Sequence, residues 1–376
     1  MIVIADDITG AAEMAGIAHS HGFLVRLVCG CATATNGITV IATDTRSMTE
    51  EEAVAETRRI VLPLYLEGDG GRLFFKKTDS ALRGHVVAEL SALMQATGYQ
   101  RAVFLPANPS KGRIIRNGIY YIKEVRGQRS EVREVPIHET AFSYDPEFPA
   151  TTSVMKERFP DAAQKGIIMP DAESTADIRK VIADYDDGKT LFAGAADLFE
   201  TYIEVRGERL EVREMSESKY YSLTSHLSPL TPKSTLFLCG STQSQPLDLG
   251  IPVTAMPLDI YNGNNDITPW LKEAESLYTQ QGSLMITIPH RHRTGKEVAI
   301  HLRKMTARLI QHLVEKQQPR QLIIEGGASA FATLQHLGWN ELEVVSQLAP
   351  GVIKTKAPNG TFVIMKPGSY PWGSLF

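Results

Sequence analysis

Short apolar runs alternate with stretches of helical periodicity along most of the chain. The runs fall at 2–5, 23–28, 38–43, 72–76, 101–105, 166–169, 190–193, 235–239, 284–288, 321–325 and 361–366. Several are nearly all apolar, the pattern of strands covered on both faces. Between them, segments near 10–21, 50–65, 84–97, 174–185, 268–281, 295–316 and 328–337 read as helices. Thr49 and Glu52 add a capping-box pattern to the second of these. Such alternation predicts parallel sheets with right-handed crossovers. The stretch 216–234 is polar, rich in Ser, Thr and Pro, and lacks apolar periodicity, which predicts a boundary. The expected architecture is α/β with two domains, 1–228 and 229–376, each holding a mainly parallel sheet flanked by helices, with the site in the cleft between them.

One repeat interrupts this pattern. Residues 124–135 (EVRGQRSEVREV) and 204–215 (EVRGERLEVREM) match at nine of twelve positions. Arg and Glu dominate both copies and neither presents a hydrophobic face. Two copies 80 residues apart do not make a solenoid, which needs at least three stacked units. The expectation is a pair of charge-rich surface insertions, each a solvated hairpin or short helix outside the cleft.

Composition narrows the class. A length of 376 residues with 43% hydrophobic and 22% charged residues fits a folded two-domain protein. The formal net charge of -4 argues against nucleic acid or an anionic membrane surface as the main partner. Cys29, Cys31 and Cys239 show no CxxC spacing, which suits a reducing compartment and provides no zinc framework. No run of about 18 apolar residues exists. A strand-like Met1–Ala5 followed by Asp6 and Asp7 does not read as a signal peptide, so a cytoplasmic location is expected.

The candidate chemistry lies in loops that follow apolar strands, at the sheet edge where open α/β folds bind ligands. Asp6 and Asp7 end the first strand. Adjacent carboxylates there can accept from sugar hydroxyls, hold a cation or take a proton, or one can simply cap the next helix. Lys77, Asp79, Ser80 and Arg83 crowd one turn before a helix, a mixture suited to a small hydroxylated acid, since Arg grips a carboxylate through two bonds. Pro106–Arg113 forms a fixed loop carrying Lys111 and Arg113, and Thr43–Ser47 is a further loop with Asp44 and Arg46. In the C-terminal half, Gly240-Ser241-Thr242, Gly326-Gly327-Ala328-Ser329 and Lys366-Pro367-Gly368 each follow a strand. Glycine lets backbone approach a phosphate, and a helix start supplies N–H donors. Neither GxxxxGK[ST] nor GxGxxG is present. His290–Arg293 reads as a solvated loop, and His19 and His21 do not share a helix face.

These motifs resemble the four-carbon acid sugar kinase family, whose members phosphorylate threonate, erythronate or 3-oxo-tetronate. The resemblance spans nearly the whole chain. It rests on ADDITGA at 5–11, KTDSALRG at 77–84, PANPSKGR at 106–113 and HETAFSYDPEFP at 138–149, then GST at 240–242, GGASA at 326–330 and KPGSYPWG at 366–373. It implies a sugar-binding N-terminal domain and a nucleotide-binding C-terminal domain. By that resemblance the sugar-acid roles fall on Asp7, Lys77, Asp79, Ser80 and Arg83, and the nucleotide roles on Ser241, Gly326, Gly327, Ser329 and Gly368. Family members often carry an acidic residue and then Thr after the Gly-Gly, where this chain has Ala328 and Ser329, so a carboxylate is absent.

The expected reaction is transfer from ATP to the terminal hydroxyl of the acid. Asp7 or Asp79 accepts the hydroxyl proton, while Lys77 and Arg83 hold the carboxylate. Asp6, Asp44, Arg46, Ser80 and Arg113 complete the substrate side. Mg2+ is expected to be bound mainly through the phosphates, with its protein ligands unassigned. A sugar-acid sensor without catalysis and a sugar-acid dehydrogenase are the rival readings, and the oligomeric state, a homo-oligomer included, stays open.

Overall fold

The computed structural model describes the chain except residues 33–36, 68–71, 127–130, 146, 212–233, 241–247, 290–294 and 369–376. The N-terminal half contains strands β1 (Ile2–Ala5), β2 (Val25–Cys29), β3 (Ile38–Ala42), β4 (Phe74–Lys77), β5 (Arg101–Leu105), β6 (Arg113–Arg116), β7 (Ile119–Arg126), β8 (Glu131–Pro136), β9 (Ile167–Ile168) and β10 (Thr190–Gly194). Its helices are α1 (Ile8–Ser20), α2 (Glu50–Glu67), α3 (Val86–Thr97), α4 (Met155–Arg158), α5 (Thr175–Tyr185) and α6 (Ala196–Glu211). The C-terminal half adds β11 (Thr235–Cys239), β12 (Val253–Ala255), β13 (Leu284–Thr287), β14 (Gln321–Glu325), β15 (Glu341–Ala349), β16 (Val352–Lys356) and β17 (Phe362–Lys366). Its helices are α7 (Leu258–Tyr261), α8 (Thr268–Gln281), α9 (Lys296–Gln317) and α10 (Gly327–His336).

Among the described residues, fourteen strands form one sheet in the order β12-β13-β11-β14-β17-β16-β15-β2-β3-β1-β4-β10-β5-β9. Each half contributes a mainly parallel run, as its buried apolar strands require. The two runs are joined edge to edge, which the sequence does not predict. The joint is a short antiparallel ladder in which Glu341, Leu342 and Glu343 of β15 face Val28, Leu27 and Arg26 of β2.

Two antiparallel steps, β15 against β16 and β16 against β17, follow that joint. The parallel strands of the two halves therefore run in opposite directions. In a flat sheet their C-terminal ends would lie on opposite edges. Six inter-strand steps separate β1 from β14, and at about 20–25° of twist per step the halves turn well past a right angle relative to each other. Helix α1 spans the join. It packs on β2 and β3 of its own half and on β15, β16 and α10 of the other. Its small residues permit this, since a Cβ on Gly16 would come within 3.0 Å of Ile353 Cγ2 and 3.1 Å of Gln347 Cδ.

The apolar runs recur as strands with ends shifted by a residue or two. The capping box is formed: Thr49 N–H donates to Glu52 Oε2 at 2.9 Å and Glu52 N–H to Thr49 Oγ1 at 3.3 Å. The repeat takes both of the expected forms. The described part of its first copy lies in the β7–β8 hairpin of a separate three-stranded antiparallel sheet, while its second begins inside helix α6. Neither copy is wholly surface: Val135 is buried and Val205 packs against the core. Arg206 donates to Asp186 and lies 5.0 Å from the centroid of the Tyr202 ring. The remainder of the second copy, residues 216–233 of the expected boundary, and His290–Arg293 lie outside the described residues. No described helix is long and apolar enough to cross a membrane.

Candidate active site

Helix α1 starts at the edge of β1 because Asp7 caps it: its Oδ1 accepts from Gly10 N–H at 2.9 Å, and Thr9 donates its hydroxyl to Oδ2 at 2.5 Å. The plain structural role thus holds for Asp7, and a second role is superimposed on it. Arg46 reaches in from the loop after β3. It makes a fork to Asp6 (Nε to Oδ2 2.7 Å, Nη2 to Oδ1 2.9 Å), bonds Asp7 at 3.2 Å and lies 3.8 Å from Asp79. Arg83 makes a second fork, to Asp79, at 2.8 and 3.0 Å, and its Nη1 is 3.5 Å from Asp145. Gly84 is suited to its turn, with φ of 90° and only 3.1 Å between its Cβ position and Asp6 Oδ2.

Burial disfavours charge on Asp7 and Asp79, but the cations outweigh it. At Asp79 the desolvation is overcome by Arg46, by the Arg83 hydrogen bond and charge, and by Lys77, so the carboxyl is held well below the usual range. At Asp7 burial is likewise overcome by Arg46, Lys77 and the Thr9 hydrogen bond. Both are ionised acceptors near neutral pH. Asp44 behaves oppositely. It takes a left-handed backbone (φ 55°), and burial lifts its carboxyl to about 6 although Arg303 of α9 and the Ser47 hydrogen bond pull it down.

The third loop closes the other side. Arg113 contacts the Ser80 hydroxyl and lies 5.6 Å from the Phe142 ring centroid, and the Tyr120 hydroxyl donates to Ser80 O at 2.5 Å. Asp6, Asp7, Arg46, Lys77, Asp79, Ser80, Arg83 and Arg113 thus form one connected group. Asp44 is coupled to it through charge. Sequence reasoning overlooked Glu13, Glu89, Tyr120 and Asp145. Glu89 forms a buried 2.6 Å pair with Lys76 and accepts from the Thr45 hydroxyl at 3.0 Å. The sole sequence signal for Asp145 is its place within 138–149.

In the C-terminal half, the described ends of β11 and β17 lie beside the start of α10: Gly240 meets Ser329, and Gly326 N–H donates to Lys366 O at 2.9 Å. A Cβ on Gly240 would come within 2.3 Å of Ser329 Oγ, so only glycine lets the chain after β11 approach α10 this closely. Gly326 has φ of 102° and precedes α10 without a side-chain cap, leaving helix-start N–H groups for an anion. Beneath them Lys366 Nζ and Glu325 Oε1 pair at 2.6 Å, fully buried, and Cys239 Sγ donates to Glu325 Oε2 at 3.1 Å. Gly368 follows Lys366 after one residue, while Ser241 lies outside the described residues. The two halves meet here: a Cβ on Gly327 would come within 2.6 Å of Thr9 Cγ2. The seam among Thr9, Gly327 and Lys366 has no room for a water molecule.

Known proteins resemble this chain. A family model described as a sugar-binding N-terminal domain matches residues 1–160, and one described as a nucleotide-binding C-terminal domain matches 247–370. A D-threonate kinase of Salmonella typhimurium is 30% identical over 160 residues, covering 42% of this chain and 35% of that protein. A D-erythronate kinase of Heliobacterium modesticaldum is 31% identical over 153 residues, covering 37% and 34%. These matches thus span about a third of the relatives' length. A 3-oxo-tetronate kinase of Actinobacillus succinogenes is 23% identical over 413 residues, covering 98% of this chain and 96% of its own. The fold is shared with a Haemophilus influenzae protein of solved structure (TM-score 0.66, 21% identity, 100% of this chain and 98% of that one). It is also shared with a Salmonella typhimurium LT2 protein (TM-score 0.70, 17% identity, 98% and 96%). With both domain models matched in order, and with the kinase relatives aligned, the chain belongs to the four-carbon acid sugar kinase family.

Proposed function

We propose that this protein is an ATP-dependent kinase that phosphorylates the terminal hydroxyl of a four-carbon sugar acid. The observation that carries the reading is the contact of Thr9 with Gly327, which puts the carboxylate-rich start of α1 against the glycine-rich start of α10. One edge offers forks and carboxylates for a hydroxylated acid; the other offers glycine backbone and a helix start for phosphate. Ser241, Gly326, Gly327, Ser329 and Gly368 take the nucleotide. Mg2+ bound with it would neutralise charge developing on the phosphates.

Asp7 and Asp79 are the candidate proton acceptors. Each is kept ionised by the guanidinium beside it, which also makes it a weak base. An incoming substrate carboxylate competes with Asp79 for Arg83. As Arg83 turns to the substrate, Asp79 keeps only Arg46 and Lys77 as cations and gains basicity at the moment a proton must be taken. Lys77 adds charge on the same side, and Arg113 brings donors beyond the one used on Ser80. A loosely bonded phosphoryl transition state asks mainly for such positioning.

The test is ATP consumption with D-threonate, D-erythronate and 3-oxo-tetronate, in the parent and in Arg83→Ala. Removing one partner of a partly buried charge pair costs about 2–5 kcal/mol. The variant should therefore lose affinity for the acid by well over an order of magnitude while keeping that for ATP. Acid-independent ATP consumption, or none, would remove the reading. Acid binding without consumption would favour the sensor, to which the missing carboxylate at Ala328 points.

A further inference from the structure

Glu13 belongs to none of the loops that carry the candidate chemistry, yet it joins two of them. It follows Gly10 by three residues on α1, so both lie on the face that begins with Asp7. The Lys77 side chain runs along that face. A Cβ on Gly10 would be 3.4 Å from both Lys77 Cγ and Lys77 Nζ. Lys77 Nζ donates to Thr78 O at 2.8 Å and stands 3.6 Å from Glu13 Oε2. Lys111, from the loop after β5, contacts the other oxygen, Oε1.

The Glu13 side chain is only 14% exposed. Burial works to raise its carboxyl, but Lys77 and then Lys111 outweigh it, so the group is ionised. A buried carboxylate contributes nothing to an apolar core and is tolerated only when paired. An apolar residue would fill the same space at no such cost. What the carboxylate does is hold two ammonium groups together that would otherwise repel.

We infer that Glu13 is a positioning residue of the acid-binding site, gathering Lys77 and Lys111 beside the Asp7–Asp79 cluster so that an anionic substrate group meets both. This rests on the sugar-acid reading above. Its test uses Glu13→Gln, Glu13→Asp, Lys111→Met and the Glu13→Gln/Lys111→Met pair. Binding of D-threonate, D-erythronate and 3-oxo-tetronate is measured calorimetrically without nucleotide, and initial rates are measured for each acid that is turned over. In Glu13→Gln the acid should bind about tenfold more weakly, as expected for a lost charged hydrogen bond. Its KM should rise more than kcat falls, with the KM for ATP unchanged. Glu13→Asp should recover part of the loss, and the double variant should be little worse than Glu13→Gln alone, because the second lysine acts through the same carboxylate.

Unchanged acid affinity in Glu13→Gln overturns the inference. So does a variant whose melting temperature, kcat and both KM values decline together. Should Glu13→Gln fail to fold, Lys111→Met decides: its side chain is 31% exposed, and wild-type acid affinity there overturns the inference equally. A parent that binds an acid without consuming ATP ends the kinase reading but still decides Glu13 through the ratio of dissociation constants. A parent that binds none of the three acids overturns both.

Discussion

The carboxylates of the N-terminal half are close in space and opposite in behaviour, and the difference is which of them has a guanidinium within bonding distance. Asp79 and Asp7 lie under Arg46 and Arg83, so they stay charged despite burial. Asp44 has Arg303 only as a more distant charge, and burial lifts it from 3.8 to about 6. The folded protein therefore binds more protons at Asp44 than the unfolded chain does between those values, and this residue's contribution to stability falls as pH rises through that window. Asp79 has the reverse sign: its contribution is present above the ordinary carboxylate range and is lost as pH falls below it. Asp44→Asn should thus stabilise the protein by about 2 kcal/mol at pH 7.5, with a smaller gain at pH 5. Asn tolerates the left-handed backbone at this position. Urea unfolding at both pH values is the check, and a gain independent of pH would remove the explanation. These residues were legible in the sequence because they follow apolar runs in dense, unusual combinations. Glu13 was not, because a Glu on a helix reads as a solvated face until Lys77 and Lys111 are seen to flank it.

Among the elements, the start of α1 is the most constrained. Gly10→Ala should gain helix propensity of about 1 kcal/mol, but the new Cβ stands 2.7 Å from Asp7 Oδ1 and disturbs a cap worth about as much. The melting temperature should barely move, while acid affinity drops severalfold because the Asp7 carboxylate is pushed off its cap. Wild-type KM for the acid in this variant would count against a substrate role for Asp7. The strands and most helices were legible because covered strands are mostly apolar and α1 to α3 carry caps or clear spacing. The hairpin strands β6 to β8 were not. In β8 Val135 is buried and Val132 61% exposed, while in β6 the neighbouring Ile114 and Ile115 are both buried, and the Arg and Glu of these strands mask any simple alternation. The repeat shows how little its own letters decide. The second copy extends a helix already established by Leu198, Phe199, Tyr202 and Ile203 at helical spacing. The first continues a strand pairing begun at Ile114 with Tyr121. Tertiary context selects between the two.

At the scale of the molecule, the joint between β2 and β15 was invisible in the sequence, because edge pairing depends on which strands are left without a neighbour. It should tie the halves into one folding unit. Cys29 N–H donates to Asn340 O at 2.8 Å, Arg26 pairs with Glu341 at 2.5 Å, and α1 lies across both sides. Heating should give a single transition seen alike by near- and far-ultraviolet circular dichroism. A fragment ending at residue 228 should bind hydrophobic dye and lack that transition, since it bares the β2 edge and one face of α1. A fragment melting cooperatively at the parent temperature would mean that the halves fold separately. The ladder also limits how the seam at Thr9 and Gly327 could part. A joint made of strand hydrogen bonds does not swing like a hinge; it winds and unwinds. A few degrees gained or lost at each of the six steps between β1 and β14 add up at the ends, where the two loops touch. On this geometry, parting the seam would mean twisting the sheet as a torsion spring is twisted, against the close seating of Gly16 on Ile353.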